Sequence, residues 1–301
     1  MAGGAAYRAA IAAALAGILA LCLIGCGGGA STSAGDDGPV ILATTPVLGA
    51  IARDAAGDSV EVRVIMPNGS DPHEWRPSAR DVAALESADL IIENGLGLEH
   101  GLGDAIDLAR ESGVPVFTAT DHVAVRKDGA GDPHFWTDPT QVRAVVAALP
   151  AAVRAATGTD ITASAARAGD DLLALDASIE RDVQTIPPAA RVLVTGHESL
   201  GYLAARYGLR VVGAVTPSLS SQGQVSAAHL AELEEAMREA GVTVVFVEAG
   251  VPGAVADAIA GQTRATPVEI AVETVPSDGR YHTYMTALAR RVTSALAGSG
   301  G

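Results

Sequence analysis

Eight short runs rich in valine and isoleucine fall into two groups of four, and one long helical stretch lies between the groups. The early runs span residues 40–44, 60–66, 90–93 and 115–118; the late ones span 191–195, 210–215, 242–247 and 268–272. Near-continuous apolar runs of this length are the pattern of parallel strands covered on both faces. Helical segments such as 47–56, 78–87 and 227–240 separate most of them, and alternating β and α segments build open α/β sheets. In the stretch between the groups, about 160–183, Leu172, Leu175, Ile179 and Val183 recur at three- and four-residue spacing, one apolar stripe on a polar helix. Pro187-Pro188 ends it. The expected fold is therefore α/β with two lobes, each a four-stranded mostly parallel sheet with flanking helices, joined by one long linking helix. The boundaries that follow are 39–157 for the N-terminal lobe, 158–186 for the linking helix and 187–299 for the C-terminal lobe.

In open α/β sheets ligands bind beyond the carboxyl ends of the strands. The chain places its histidines there. Only seven occur in 301 residues, yet the tripeptide Asp-Pro-His appears twice, as Asp71-Pro72-His73 and Asp132-Pro133-His134. Proline fixes φ and biases the residue before it toward extended backbone, so each histidine leaves a stiff loop. Each copy also runs into a helix start. Ser78 with Asp81 three residues on reads as a capping box, and Asp138-Pro139 reads as N-cap and first helical residue. His73 follows the second strand, His134 the fourth, and His197 the fifth; Glu273 sits at the end of the eighth. If the two sheets face each other, these four side chains converge on one cleft, as a metal site requires.

The N-terminus bounds the setting. Residues 9–24 are nearly all apolar, Arg8 precedes them, and they close in Leu23-Ile24-Gly25-Cys26. That is the layout of a secretory signal peptide over residues 1–25, and the closing tetrapeptide resembles a bacterial lipobox in which Cys26 carries the lipid. A Gly/Ser/Asp-rich tether follows over 26–38. Cys22 leaves with the signal, so the mature chain has neither a free thiol nor a disulfide, and a metal site must use nitrogen and oxygen. The formal charge of −15 argues against nucleic acid as a partner.

These residues carry a resemblance. Gly69-Ser70-Asp71-Pro72-His73 with Pro77-Ser78, and Asn94-Gly95-Leu96-Gly97-Leu98-Glu99, look like the first lobe of the cluster A-I metal-binding solute-binding proteins. These are lipoproteins that capture zinc or manganese for ABC importers. Residues 132–139 are similar to that family's second histidine motif, and His197-Glu198-Ser199-Leu200-Gly201-Tyr202 to its third. The resemblance covers residues 39–299. It implies a metal bound by His73, His134, His197 and a carboxylate after the last strand. The family has an aspartate there; here Glu273 takes the place, with Asp278 as the competing carboxylate. A rigid strand end favours Glu273. Histidine at the third position goes with zinc in the family and glutamate with manganese or iron, so His197 points to zinc, with manganese as the alternative. Three imidazoles and a carboxylate also suit tetrahedral zinc on chemical grounds.

The implied partner is the membrane permease of an ABC importer, the implied place extracytoplasmic and lipid-anchored, and the chain is expected to act as a monomer. The family's long histidine-rich loop before the second motif is reduced here to His122 and a short Arg-Lys-Asp-Gly segment. His100, His122, His229 and His282 read as surface or loop residues, Glu248 as a partner of the ligands or a helix cap rather than a ligand, and Trp75 and Trp136 as cleft walls or core. An enzyme is the rival class: a zinc hydrolase keeps a coordination position open for water, whereas a fourth protein ligand closes it. A surface adhesin would share the lipobox but has no need of three strand-end histidines.

Overall fold

The computed structural model describes residues 38–127, 131–248, 261, 263 and 265–298. The signal segment, Cys26 and the tether up to residue 37 lie outside the described residues. Among the described residues no helix is long and apolar enough to cross a membrane.

The first sheet holds β1 (Val40–Ala43), β2 (Glu61–Val64), β3 (Leu90–Glu93) and β4 (Val116–Thr118), in the order β2-β1-β3-β4. The second holds β5 (Val192–Thr195), β6 (Arg210–Ala214), β7 (Val244–Glu248) and β8 (Thr266–Ile270), in the equivalent order β6-β5-β7-β8. Every pairing is parallel. In each sheet the chain starts in an inner strand, steps to one edge, and then crosses back to the other side. Such a reversal opens a crevice at the carboxyl ends of the strands. The two sheets repeat one topology, as the two groups of apolar runs imply.

Helix α1 (Pro46–Ala56) follows β1 and is buried along most of its length. Thr45 caps it by accepting from Leu48 N, and a Cβ on Gly49 would meet Val64 Cγ2 at 2.2 Å, so only glycine lets the helix lie this close to β2. Next come α2 (Ala79–Glu86), with the expected Ser78–Asp81 capping box, α3 (Gly103–Glu111) and α4 (Pro139–Thr157), capped by Asp138 with Pro139 at its first position. Helix α5 (Thr162–Gln184) buries Leu172, Leu175, Ile179 and Val183. It packs on α1 and α4 from the first half, and on α6 (Gly201–Tyr207) and the C-terminal helix α8 (Tyr281–Gly298) from the second. Its buried Asp176 accepts two hydrogen bonds from the Arg206 guanidinium and one from Tyr207 Oη, which fastens α6 to it. Helix α7 (Ala227–Ala240) covers the outer face of β6.

The last strand departs from expectation. It ends at Ile270, two residues earlier than the apolar run, so Glu273 lies three residues beyond the strand rather than at its end. The cause is local. The Val272 carbonyl accepts from Trp136 Nε1 at 3.0 Å and from Tyr284 Oη at 2.6 Å, which takes it out of the sheet ladder.

Candidate metal site

Both Asp-Pro-His copies fold as the same tight turn. In the first, His73 N donates to Asp71 Oδ1 at 2.9 Å; in the second, His134 N donates to Asp132 Oδ1 at 2.9 Å. An aspartate that accepts the amide two residues on makes a side-chain-closed turn, and proline between them stiffens it. Beyond the backbone the copies diverge. Asp132 Oδ1 also lies 2.9 Å from His134 Nδ1, while the second oxygen of Asp71 accepts from Ser221 Oγ at 2.5 Å, reaching across to the loop after β6. The carboxylate holding His134 is itself faced by Arg126, whose Nε lies 3.4 Å from Asp132 Oδ2.

The loop after β3 supports the second copy. Gly95, Leu96 and Gly97 all have positive φ, and a Cβ on Gly95 would meet Thr120 Oγ1 at 2.3 Å. The tight reversal brings the Glu99 carboxylate back to the strand ends, where it accepts from Thr44 Oγ1 and Asn94 N, each at 2.6 Å. Asn94 Nδ2 in turn donates to Pro133 O at 3.1 Å, one residue before His134.

His197 leaves β5 directly. Thr195 Oγ1 donates to its carbonyl at 2.6 Å. Its Nδ1 faces Glu248 Oε1 at 3.7 Å, and that carboxylate also takes the Ser199 hydroxyl. Glu248 ends β7 and is 3 % exposed, so its carboxylate stands behind His197, at a longer range than Asp132 stands behind His134. The hydrogen bond to Asp132 sets the tautomer and aim of the His134 imidazole, which presents its other nitrogen; Glu248 faces His197 beyond hydrogen-bond distance.

Those other nitrogens converge. His134 Nε2 and His197 Nε2 are 3.3 Å apart, and the rings of His73, His134 and His197 lie 5.2–5.6 Å from one another by centroid. With Glu273 they form one group whose ligand atoms all fall within 4.8 Å of each other. Tetrahedral zinc with bonds of about 2.0–2.1 Å places its ligand atoms roughly 3.3–3.4 Å apart. The His134–His197 pair is already at that spacing. His73 Nε2 and Glu273 Oε1 are buried with no hydrogen-bond partner, an arrangement that costs free energy unless a cation completes it. Trp136 closes one side, its ring 5.3 Å from that of His134. Trp75 packs instead into the smaller cluster around Met66, Leu85 and Ile106.

Asp278 is not in the group. It is exposed, and its oxygens accept from Arg280 N at 3.1 Å and Thr283 Oγ1 at 2.7 Å at the start of α8. The remaining histidines also lie apart. His100, His122 and His282 are exposed, His122 stacking on Phe117; His229 lies on α7 with Nε2 2.8 Å from Ala214 O. Arg126 and Ser199 carried no sequence signal for their supporting roles, because their contacts with Asp132 and Glu248 depend on the fold.

The site's charge balance sets its response to pH. Burial, and then the charges of His134 and His197, push His73 down to about 3; burial also lowers His134 against the pull of Asp132. Both rings are neutral and ready to ligate at neutral pH, His73 well below it. Burial, reinforced by Asp71 and Glu248 and opposed by His197, pushes Glu273 up to about 8. Burial disfavours charge on His197 as well, but Glu248, Glu273 and Asp71 outweigh it and raise that imidazole. A metal must therefore displace the proton that Glu273 holds, and it competes with a proton for His197. Apparent affinity should rise with pH through the range 6 to 8, approaching tenfold per unit for each proton released. This lies above the ordinary imidazole range near 6.5. Chelator competition at pH 6, 7 and 8 checks it, and an affinity unchanged across that range would contradict it.

Comparison with known proteins gives a consistent frame. The family model described as zinc-uptake complex component A, periplasmic (ZnuA), matches residues 41–295. The zinc-binding protein TroA of Treponema pallidum (strain Nichols) is 30% identical over 255 residues, covering 81% of this chain and 82% of TroA. The manganese-binding lipoprotein MntA of Halalkalibacterium halodurans is 29% identical over 236 residues, covering 77% and 78%. The solved structure of the periplasmic zinc-binding protein TroA from Treponema pallidum superposes with a TM-score of 0.75 at 25% identity, covering 86% of this chain and 99% of that one.

Proposed function

Because this chain belongs to the ZnuA family, the periplasmic component A of zinc-uptake complexes, we propose that it captures zinc outside the cytoplasm and delivers it to the permease of an ABC-type importer. The family consists of substrate-binding transport proteins and not of enzymes. The observation that carries the zinc reading is the donor set: three imidazoles, two of them backed by carboxylates, and one carboxylate of its own. Nitrogen-rich, four-coordinate surroundings suit zinc, whereas magnesium and calcium favour oxygen shells. A fourth protein ligand also leaves no position for an attacking water, which supports a carrier over a hydrolase.

Manganese is the second reading, and the 29%-identical relative named as a manganese-binding lipoprotein favours it. The two readings separate in one experiment. Purified mature protein, stripped and then equilibrated with equal zinc and manganese at pH 7.5, should retain about one zinc per chain and little manganese. Retention of mainly manganese would reverse the assignment.

The lipobox-like segment ending in Cys26 supports a lipid-anchored form with the binding lobes outside the membrane. An acylated N-terminal peptide beginning at Cys26 is the expected mass-spectrometric signature, and an intact 1–25 segment on membrane-bound protein would refute it.

A further inference from the structure

We propose that Asn68 is a positioning residue for the fourth ligand: its side-chain amide holds the backbone beside Glu273 against the first sheet. The inference rests on the reading of Glu273 as a ligand. Glu273 follows β8 of the second sheet and faces His197 from that sheet, yet the cavity wall beside it comes from the first. With Thr45, Met66, Ser70, Leu98 and Trp136 it lines one small cavity. No strand end supports it, because β8 stops at Ile270.

Two sets of bonds, one on each side of Glu273, replace that support. Before it, the Val272 carbonyl is held by Trp136 Nε1 and Tyr284 Oη. After it, Asn68 Nδ2 donates to Val275 O at 2.7 Å, and Val275 N donates to Asn68 Oδ1 at 2.9 Å. This reciprocal pair copies the hydrogen-bonding edge of a β-strand and fixes both the position and the rotation of the segment. Asparagine is suited to it because one flat amide offers donor and acceptor side by side. Asn68 stands five residues before His73 in the same loop, so one loop delivers one ligand and grips the segment carrying another. A ligand so held is pre-aimed; without the grip, part of the binding free energy goes into ordering it.

The test is a double-mutant cycle in zinc affinity on the full mature protein. Asn68 is solvent-exposed, so Asn68→Ala should fold. It should weaken zinc binding on the order of tenfold, the low end for loss of a ligand's outer partner. In a Glu273→Ala background it should add nothing, since there is no longer a carboxylate to aim. A general loosening of the loop would instead weaken the three-histidine site as well, giving losses that multiply. If Asn68→Ala does not fold, Asn68→Asp, which keeps the acceptor and loses the donor, should show the same direction and the same coupling. Loss with Glu273→Ala but parent-like affinity with the Asn68 variant, or losses that multiply, would overturn the positioning role. No loss with Glu273→Ala would overturn the ligand reading beneath it.

Discussion

Alanine at His134 is expected to weaken zinc binding by more than about 100-fold, beyond the range for losing an outer partner of a ligand. His134 is fully buried, its Nδ1 is held by Asp132, and its Nε2 lies 3.3 Å from that of His197. The variant loses one of the two nitrogens already at ligand spacing and leaves the Asp132 carboxylate without its imidazole. His197→Ala should behave alike and leave Glu248 without its imidazole, while His73→Ala removes a ring nitrogen, Nε2, that is buried without a hydrogen-bond partner. His100→Ala and His282→Ala, both exposed and outside the group, should bind as the parent does. Competition against a chelator at pH 7.5 measures all five, and equal losses across them would refute this site.

Glu273→Ala should weaken binding by roughly 10- to 100-fold and open one coordination position to water, whereas Asp278→Ala should stay within about twofold. The difference follows from placement. Glu273 Oε1 is buried without a hydrogen-bond partner beside the three rings; Asp278 is exposed and caps the start of α8. A carboxylate also offsets part of the ion's charge, which three neutral imidazoles cannot. The variant carries a second signature. The carboxyl pushed up to about 8 is gone, so its affinity should vary less between pH 6 and 8 than the parent's. Zinc-bound water is acidic enough to give hydroxide near neutrality, so the variant can acquire slow esterase activity that the parent lacks. Release of metal by Asp278→Ala alone would move the fourth ligand to that residue.

Much of this was legible in the chain before folding. Apolar runs of four to seven residues with helices between them define two parallel sheets, most clearly in the inner strands β1, β3, β5 and β7, which are buried on both faces and leave no alternation to obscure. The Asp-Pro-His repeat marks two turns, and the turns are there, closed by the same aspartate-to-amide hydrogen bond. What the sequence conceals is the difference between the copies. Whether the aspartate also reaches the imidazole, as Asp132 does, or crosses to Ser221, as Asp71 does, depends on neighbours 70 to 150 residues away. The end of β8 differs from the apolar pattern for a related reason. Val272 continues the apolar run, but a tryptophan and a tyrosine from other elements claim its carbonyl, and that competition has no local trace. The site's pH response was equally hidden, since burial rather than residue type moves His73 down and Glu273 up.

X-ray absorption on the zinc-loaded protein bears most directly on the central claim that three histidines and one carboxylate close around a captured ion. The expected first shell is four light-atom ligands at about 2.0–2.1 Å, with the outer-shell scattering of three imidazoles. That scattering should fall to two imidazoles in the His134→Ala protein. A shell of six oxygen-dominated ligands, or one whose imidazole count does not change in that variant, would contradict the account.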